Sequence, residues 1–357
     1  MAKIKAAVIF GGVSREHDIS LASAAEVICN IPKDKYEVIC LGITRKGRWL
    51  YFPGDPQEIA DGSWEQDPDC TSAIISPDPI HRGIITIENG ETSVKRIDVV
   101  FPLLQGKHGA DGTIQGLLDM SGIPYVGCGL LSSAACMDKS HTHMIMDDFD
   151  IATAEWQVIT QPELSRLDQR CKEVADKLGF PVIVKPANSE SSSGVSRAND
   201  LSQLETAVKI AFSNDNKVVI EKYIVGRKLE AAVFGCDSPV ASFIGEIVST
   251  AKPYDHYNFT VHSGDDLIVP ADLDRDTQSM IRDTAVRAYK AMGCKGMARL
   301  DFFLTSDGKL LLNKIGTAPG MRSKSVFPKL MASMGMKLPE LIDTLLEQAI
   351  DSFDRNY

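Results

Sequence analysis

DFFLTSDGKLLLNKIGTAPG, residues 301–320, predicts a β-hairpin with charged side chains on one face. Asp301 opens the first strand, and the Ser-Asp-Gly sequence at 306–308 favours a tight turn. The return strand, residues 309–315, then brings its side chains level with Asp301. Arg299 is two residues from Asp301 and therefore lies on the same face. The two residues are either a plain ion pair or an oxyanion-stabilising arginine beside a metal ligand.

Three other segments place polar groups at the ends of predicted strands. PVIVKPANSESSSGVS ends an apolar strand at Lys185, and the following Ser/Gly loop could hold phosphates or could be only a mobile surface loop. VVIEKYIVGRKLEAAV places Glu221 and Lys222 before a connector, which is either a plain linker or a backbone edge for adenine. TAPGMRSKS turns into a helix near Gly320 and Ser325, where N–H groups could stabilise an anion.

The overall composition is that of a globular protein with about two or three domains. The chain has 357 residues, 44% of them hydrophobic and 24% charged, and a net charge of -10. That negative charge argues against a nucleic-acid or anionic-membrane partner. The eight scattered cysteines predict free, mostly buried thiols in a reducing compartment. Because no signal peptide or long apolar run is found, we expect a cytoplasmic protein.

The pattern of predicted elements changes along the chain. The first part alternates buried strands, glycine turns and helices, as in a doubly wound, parallel α/β unit. From a boundary near 128–138, the pattern becomes α+β with antiparallel strands. The segment ELSRLDQRCKEVADKLG predicts an amphipathic helix with Leu164, Leu167, Val174 and Leu178 on its apolar face.

Seven blocks of sequence, taken in order, resemble those of one family. The chain resembles the D-alanine–D-alanine ligases of the ATP-grasp superfamily from about residue 3 to about 350, most closely the branch with D-alanine–D-serine and other D-alanine–D-X ligases. The resemblance implies an N-terminal Rossmann-like substrate domain at 1–130 and two ATP-grasp subdomains at 131–222 and 223–357. The blocks are GGVSREHDIS, QGKHGADGTIQGLLDMSGIPYVGC, CMDKSHTH, PVIVKPANSESSSGVS, EKYIVGR, ARLDFFLTSDGKLLLN and PGMRSKSVFPKLM.

The resemblance also implies a reaction. ATP would phosphorylate the carboxylate of a first D-alanine, and the amine of a second D-amino acid would attack the acyl phosphate, giving a dipeptide for peptidoglycan. Magnesium would screen the phosphates. The implied residues are Glu16 for the ammonium of the first substrate, Lys139 and Lys185 for the phosphates, Glu221 and the backbone around Ile224 for adenine, Lys228 at the ribose position, Ser191 in a loop over the site, Arg299 and the Gly320 amide for the oxyanion, Ser325 for the second substrate, and Asp301 for the metal.

Several positions depart from the family pattern. Lys314 stands where the family usually has Glu and Gly316 where it has Asn, so only Asp301 remains of three metal ligands, and one magnesium ion is expected rather than two. The other departures are Gln105-Gly106 for the usual His-Gly, Ala110 for a nearby acid, Glu190 for a glycine, Lys228 for the ribose-binding acid, and Phe259-Thr260 for a Lys-Tyr pair in the lid.

Lys314 has the largest electrostatic consequence of these changes. A cation within about 4 Å of another is repelled by several kcal/mol even at an effective dielectric near 20. We therefore hypothesise that the Lys314 ammonium occupies the place of the missing metal and contacts phosphate directly. The alternative is that Lys314 turns to solvent and leaves that place vacant.

Three functions are compatible with the family resemblance and with the departures from it. The first is an ATP-dependent D-alanine–D-X ligase with an altered site. The second is a non-catalytic homologue that binds nucleotide or D-amino acid, and the third is an ATP-grasp ligase for another carboxylate and amine. We predict the first, with small-molecule substrates and, by analogy with the family, a homodimer.

Overall fold

Three β-sheets organise the protein, seen in a computed structural model that describes residues 2–189, 193–249 and 265–354. The sheets have seven, four and six strands along the chain. Ser191, Glu190 and the Phe259-Thr260 pair lie outside the described residues, and so do the predictions made for them.

The first sheet contains the predicted parallel unit and extends it. Strand order is β6-β5-β4-β3-β2-β1-β7, with β1 parallel to both β2 and β7 and every other pair antiparallel. The apolar run at 6–10 is fully buried in β1, as a strand covered on both faces requires. The elements are β1 (Ile4–Gly11), α1 (His17–Asn30), β2 (Tyr36–Ile43), β3 (Trp49–Phe52), α2 (Pro56–Asp61), β4 (Thr71–Ile75), β5 (Gly83–Glu88), β6 (Glu91–Arg96), β7 (Val99–Pro102) and α3 (Thr113–Ser121).

The second sheet is antiparallel, with the order β10-β9-β11-β8. Its helices include the predicted amphipathic one, but that helix begins at Leu167, because Thr160 and Glu163 form a capping box that starts a 3₁₀ turn first. Leu164 belongs to that turn and is partly exposed, so its assignment to the apolar helix face was wrong. The elements are α4 (Leu130–Met137), α5 (Lys139–Asp148), β8 (Trp156–Thr160), α6 (Leu167–Leu178), β9 (Val182–Pro186), β10 (Ser196–Ala198), α7 (Leu201–Phe212) and β11 (Lys217–Lys222).

The third sheet contains the hairpin predicted from residues 301–320. Its order is β15-β14-β12-β16-β17, and β13 pairs with the C-terminal end of β12. The hairpin is confirmed, although its first strand begins at Met297, so Asp301 lies in the middle of the strand and does not open it. The elements are β12 (Arg227–Phe234), β13 (Val240–Ala241), β14 (Gly245–Ser249), β15 (Asp265–Ile268), α8 (Arg275–Ala291), β16 (Met297–Leu304), β17 (Leu310–Gly316), α9 (Val326–Ser333) and α10 (Leu338–Asp354).

The C-terminal helix joins the third sheet to the first. Buried residues of α10, including Leu341 and Leu345, share one apolar core with β1 and α1. The Tyr36 hydroxyl also donates to Asp343 Oδ1 at 2.7 Å. Each sheet falls within one of the three predicted ranges, while the domain boundaries at 130 and 222 stay a prediction.

The state of the cysteines and the character of the helices can be compared with the sequence predictions. Five of the eight cysteines are buried and all eight are free thiols, as predicted. Within the described ranges, no helix has both the length and the apolar composition needed to cross a bilayer.

Candidate active site

A cavity opens where α5 and the loop after β9 face β17. It is lined by Lys139, His143, Ser189, Asn313 and Lys314, among others. Lys139 and Lys314 belong to separate blocks of the sequence, and the fold places both of them in the lining of this cavity.

Lys185 and Glu221 form a buried ion pair behind this cavity. The Lys185 Nζ lies 2.7 Å from Glu221 Oε2, and the two residues are only 5% and 2% exposed. His143 Nε2 lies 3.1 Å from the other carboxylate oxygen, and His143 Nδ1 is 2.8 Å from the Thr153 hydroxyl. Burial alone would raise the pKa of Glu221, but the Lys185 charge and the hydrogen bond with His143 lower this pKa to about 2. Glu221 is therefore ionised at neutral pH.

Lys139 begins α5 and reaches the loop that follows β9. Its Nζ donates to the carbonyl oxygens of Ser189 at 2.6 Å and Ala187 at 3.3 Å. The preceding residue, Asp138, caps α5 by accepting from the Ser140 and His141 amides. Asp138 also forms an ion pair with Lys217 at the start of β11. This cap fixes where the helix starts and hence where the Lys139 side chain begins.

Charged side chains from three adjacent strands form a row that crosses the third sheet. Glu230 of β12 is paired with Asp301 of β16, and Asp301 is paired with Lys314 of β17. Arg299 binds Asp301 through two hydrogen bonds of 2.8 Å, Nε to Oδ1 and Nη2 to Oδ2. Lys228 is two residues before Glu230 and so projects from the same face of β12. The predicted level arrangement of Asp301 and the return strand is confirmed.

Glu230 was missed by the sequence analysis. It is fully buried, and neither carboxylate oxygen accepts a hydrogen bond from the described residues, although Arg299 Nε lies 3.5 Å away. Burial raises the pKa of Glu230 to about 8 against the lowering effect of Arg299. An acid inside the apolar run LEAAV of β12 was the available signal, because a buried carboxylate needs a partner.

A β-bulge in β17 sets which side chains face the row. Asp301 pairs with Lys314 while Phe302 pairs with Leu312, so Asn313 is the extra residue. Asn313 turns to the second sheet, where its Oδ1 accepts from Lys185 Nζ at 3.3 Å. Gly316 faces Arg299 across the ladder, and a Cβ built there would meet only the Arg299 carbonyl oxygen, at 3.8 Å. Glycine is therefore not required at 316 by backbone or space.

A second, larger cavity of about 660 Å³ lies between the first sheet and the second. Glu16, Gly106 and Ser193 contribute to its lining. Gly106 has a φ of +69°, and a Cβ there would lie 2.6 Å from Glu16 Oε2. The glycine thus allows the Glu16 carboxylate to approach the loop after β7. Across the cavity, the guanidinium of Arg15 donates to the Ser193 hydroxyl.

The remaining predicted residues fall into two places. A Cβ on Gly320 would lie 3.0 Å from Ser325 Oγ and 3.8 Å from Gln105 Nε2, so these three positions are neighbours. Ser325 caps α9 without using its side chain as a cap acceptor. Ile224 follows β11 and packs on Phe303, which is two residues after Asp301 on β16.

Comparison with known proteins covers almost the whole chain. The family described as D-ala D-ala ligase N-terminus matches residues 5–128, and the one described as D-ala D-ala ligase C-terminus matches residues 145–347. A D-alanine–D-alanine ligase of Acetivibrio thermocellus is 40% identical over 99% of this chain and 98% of its own length. The chain belongs to the D-alanine–D-alanine ligase family. The family and fold predicted from the sequence are confirmed.

Two other proteins that are similar to this chain are not named D-alanine–D-alanine ligases. The vancomycin/teicoplanin A-type resistance protein VanA of Enterococcus faecium is 40% identical, over 98% of this chain and 99% of its own. The crystal structure of VanG D-Ala:D-Ser ligase from Enterococcus faecalis superposes with a TM-score of 0.90 at 32% identity, covering 98% of this chain and 100% of that one.

The donor set of this ligase-family chain does not fit a magnesium site at Asp301. The described residues contain no group of three His, Cys, Asp or Glu side chains able to hold a metal. Both oxygens of Asp301 already accept from Arg299, and Gly316 offers no side chain. Mg²⁺ held at about 4 Å from the Lys314 ammonium would be repelled by about 8 kcal/mol at an effective dielectric of 20. The cavity beside Lys139, Lys185 and Glu221 does suit an anionic, hydrogen-bonding ligand.

Proposed function

We propose that this chain is an ATP-dependent carbon–nitrogen ligase that joins D-alanine to a second D-amino acid through an acyl phosphate, for cell-wall precursor synthesis. One observation carries the proposal. Lys139 of α5 and Lys314 of β17 line one cavity, and Lys185 lies behind its wall, in a chain that matches a D-alanine–D-alanine ligase over 99% of its length. The substrates are small molecules, namely ATP and D-amino acids.

The nucleotide would bind at the first cavity. Lys139 begins α5 at its rim and would contact phosphate, and Lys185 would add a second ammonium group from β9. The ionised Glu221 would accept a hydrogen bond from the adenine amino group, with the backbone near Ile224 beside it. Lys228 stands at the position proposed for the ribose. Phosphate anions are bound well by point charges of this kind.

The amino acids would bind nearer the first sheet. Glu16 faces the larger cavity and would hold the ammonium group of the first D-alanine. Arg299, whose guanidinium is fixed by the two hydrogen bonds to Asp301, and the Gly320 amide would stabilise the oxyanion. Ser325, next to Gly320, would help to place the second substrate. Homodimer formation stays a prediction from the family.

A second function is favoured by the charged row. Because Lys314 and Gly316 replace two metal ligands of the family pattern, the protein could bind nucleotide or D-amino acid without ligating. Such a protein would keep the binding cavities and lose the group transfer.

An assay of phosphate release separates the two functions. Purified protein is given ATP with D-Ala alone, with D-Ala plus D-Ser, and with D-Ala plus D-lactate. ATP-dependent phosphate release together with a dipeptide or depsipeptide product supports the ligase. Silence with every pair, alongside measurable ATP binding, overturns the ligase and supports the binding protein.

A further inference from the structure

We propose that Lys314 binds the nucleotide polyphosphate directly and that this cleft therefore takes a nucleoside triphosphate without a divalent cation. The inference rests on the nucleotide binding proposed above. It concerns how the phosphate charge is neutralised, and it differs on that point from the metal-assisted arrangement that the family resemblance implies.

The position of Lys314 is set by the sheet and does not depend on a flexible loop. The bulge at Asn313 and the ladder with β16 place Lys314 opposite Asp301, on the face of the sheet that carries Arg299. Lys314 is partly buried and lines the same cavity as Lys139. The Lys185 ammonium reaches the adjacent residue, Asn313, from the other sheet. Two lysines from different elements, Lys139 and Lys314, therefore line one cavity, and a third, Lys185, lies behind its wall.

The charge balance of the row favours an anion. Arg299, Lys314 and Lys228 are cationic, and they face two carboxylates, Asp301 and Glu230, on adjacent strands. Asp301 is neutralised by its two hydrogen bonds from Arg299. No ion pair of Lys314 is found within the described part of the chain. Lys314, the member of the row that lines the cavity, thus brings a positive charge to it, and this charge attracts a polyphosphate and repels a divalent cation.

The chemistry of the ammonium group fits the place of a metal. A lysine ammonium is a compact point charge with three donors, and lysine is a standard phosphate ligand. Mg²⁺ at phosphate sites is usually held by one or two carboxylates in addition to the phosphates. Of the two carboxylates near Lys314, Asp301 has both of its oxygens engaged by Arg299, and Glu230 is fully buried with its pKa raised to about 8.

The test is isothermal titration of the full-length protein with ATP, once in buffer with excess EDTA and once with excess MgCl₂. We expect the two dissociation constants to agree within about threefold. Lys314→Met should weaken binding in EDTA by about tenfold, the effect of losing one charge-assisted hydrogen bond of about 1.4 kcal/mol. Lys309→Met is the matched control, because Lys309 lies exposed at the turn of the same hairpin and should leave binding unchanged.

The outcomes separate this inference from the proposed function. ATP binding that requires MgCl₂, or an unchanged constant for Lys314→Met, overturns the inference and leaves the ligase proposal intact. No ATP binding under either condition overturns both. Thermal unfolding of each variant checks the fold, and Lys314→Gln replaces Lys314→Met if the latter does not fold, with the same expected loss.

Discussion

The ammonium of Lys185 lies 2.7 Å from the carboxylate of Glu221, and both side chains are almost fully buried. The pair joins β9 to β11 in the second sheet, and His143 of α5 completes it by contacting the other carboxylate oxygen. A lysine held in this way is ordered before a ligand arrives, so less conformational entropy is lost on binding. The same pair ties nucleotide binding to the stability of the second sheet.

Glu221→Ala should strongly destabilise the protein. Removing one partner of a buried pair leaves an uncompensated charge on Lys185, with a typical cost of about 3–5 kcal/mol. Urea unfolding, followed by circular dichroism, measures the loss. Glu155→Ala is the control, because Glu155 pairs with Lys222 at 3.1 Å with both side chains about half exposed. Exposed pairs contribute about 0–1 kcal/mol, so similar losses for the two variants would contradict the assignment.

The stability of the protein should fall as the pH is lowered from about 4 towards 2, in part through Asp138. Burial acts to raise the pKa of Asp138, but hydrogen bonds from Lys217 and Ser140 lower it to about 2, below the ordinary value of 3.8. A group whose pKa is lower in the folded state stabilises it above the unfolded pKa and loses this effect as pH falls through the folded pKa. The contribution at neutral pH is about 2 kcal/mol.

The comparison that isolates this contribution uses Asp138→Asn. The variant should be less stable than wild type at pH 7 and should approach it near pH 2, since about half of the Asp138 carboxyls are then protonated and most of their charge-dependent contribution is lost. Urea unfolding at a series of pH values measures the difference. A gap that stays constant from pH 7 to pH 2 would show that the Asp138 charge is not the cause.

Local pattern was sufficient for some parts of this site and insufficient for others. The turn at 306–308 fixes the register of the hairpin as far as Phe302 and Leu312. Counting on would place Asn313 opposite Asp301, and only the bulge at Asn313, which the sequence did not predict, brings Lys314 there. Glu230 is some seventy positions earlier, and its pairing with Asp301 depends on how β12 packs beside β16 in the folded sheet. The role of His143 could not be predicted either, because the helical pattern of α5 does not show that the Nε2 atom of His143 contacts Glu221.

Gly106→Ala should impair binding of the first D-alanine more than it impairs stability. The φ of +69° makes alanine strained by about 1–2 kcal/mol. The new Cβ would also lie 2.6 Å from Glu16 Oε2, and that flexible carboxylate would move away from its place beside the loop. The Michaelis constant for D-alanine should rise while kcat falls less. Steady-state kinetics with D-alanine as the varied substrate measures both.

Gly90→Ala provides the matched control for that substitution. Gly90 has a φ of +84° in the turn between β5 and β6, and a Cβ there meets no atom within 4 Å. The two variants should therefore lose similar unfolding free energy, while only Gly106→Ala changes the Michaelis constant. If the two variants have the same Michaelis constant for D-alanine, Glu16 does not bind the ammonium group of the first D-alanine as proposed.

The double variant Lys314→Glu with Gly316→Asn should make the protein depend on magnesium. It supplies a carboxylate and a carboxamide beside Asp301 and removes the positive charge that repels Mg²⁺. The Cβ at 316 has only ordinary van der Waals contact with the Arg299 carbonyl oxygen, so the sheet should accept asparagine. Phosphate release from ATP and D-alanine should then increase when MgCl₂ is added, by at least about tenfold relative to the same variant in EDTA. Lys309→Glu makes the same change of charge at an exposed position of the hairpin and should not acquire this dependence. A double variant that folds, binds ATP and responds to MgCl₂ no more than wild type does would show that these two positions do not decide the metal requirement.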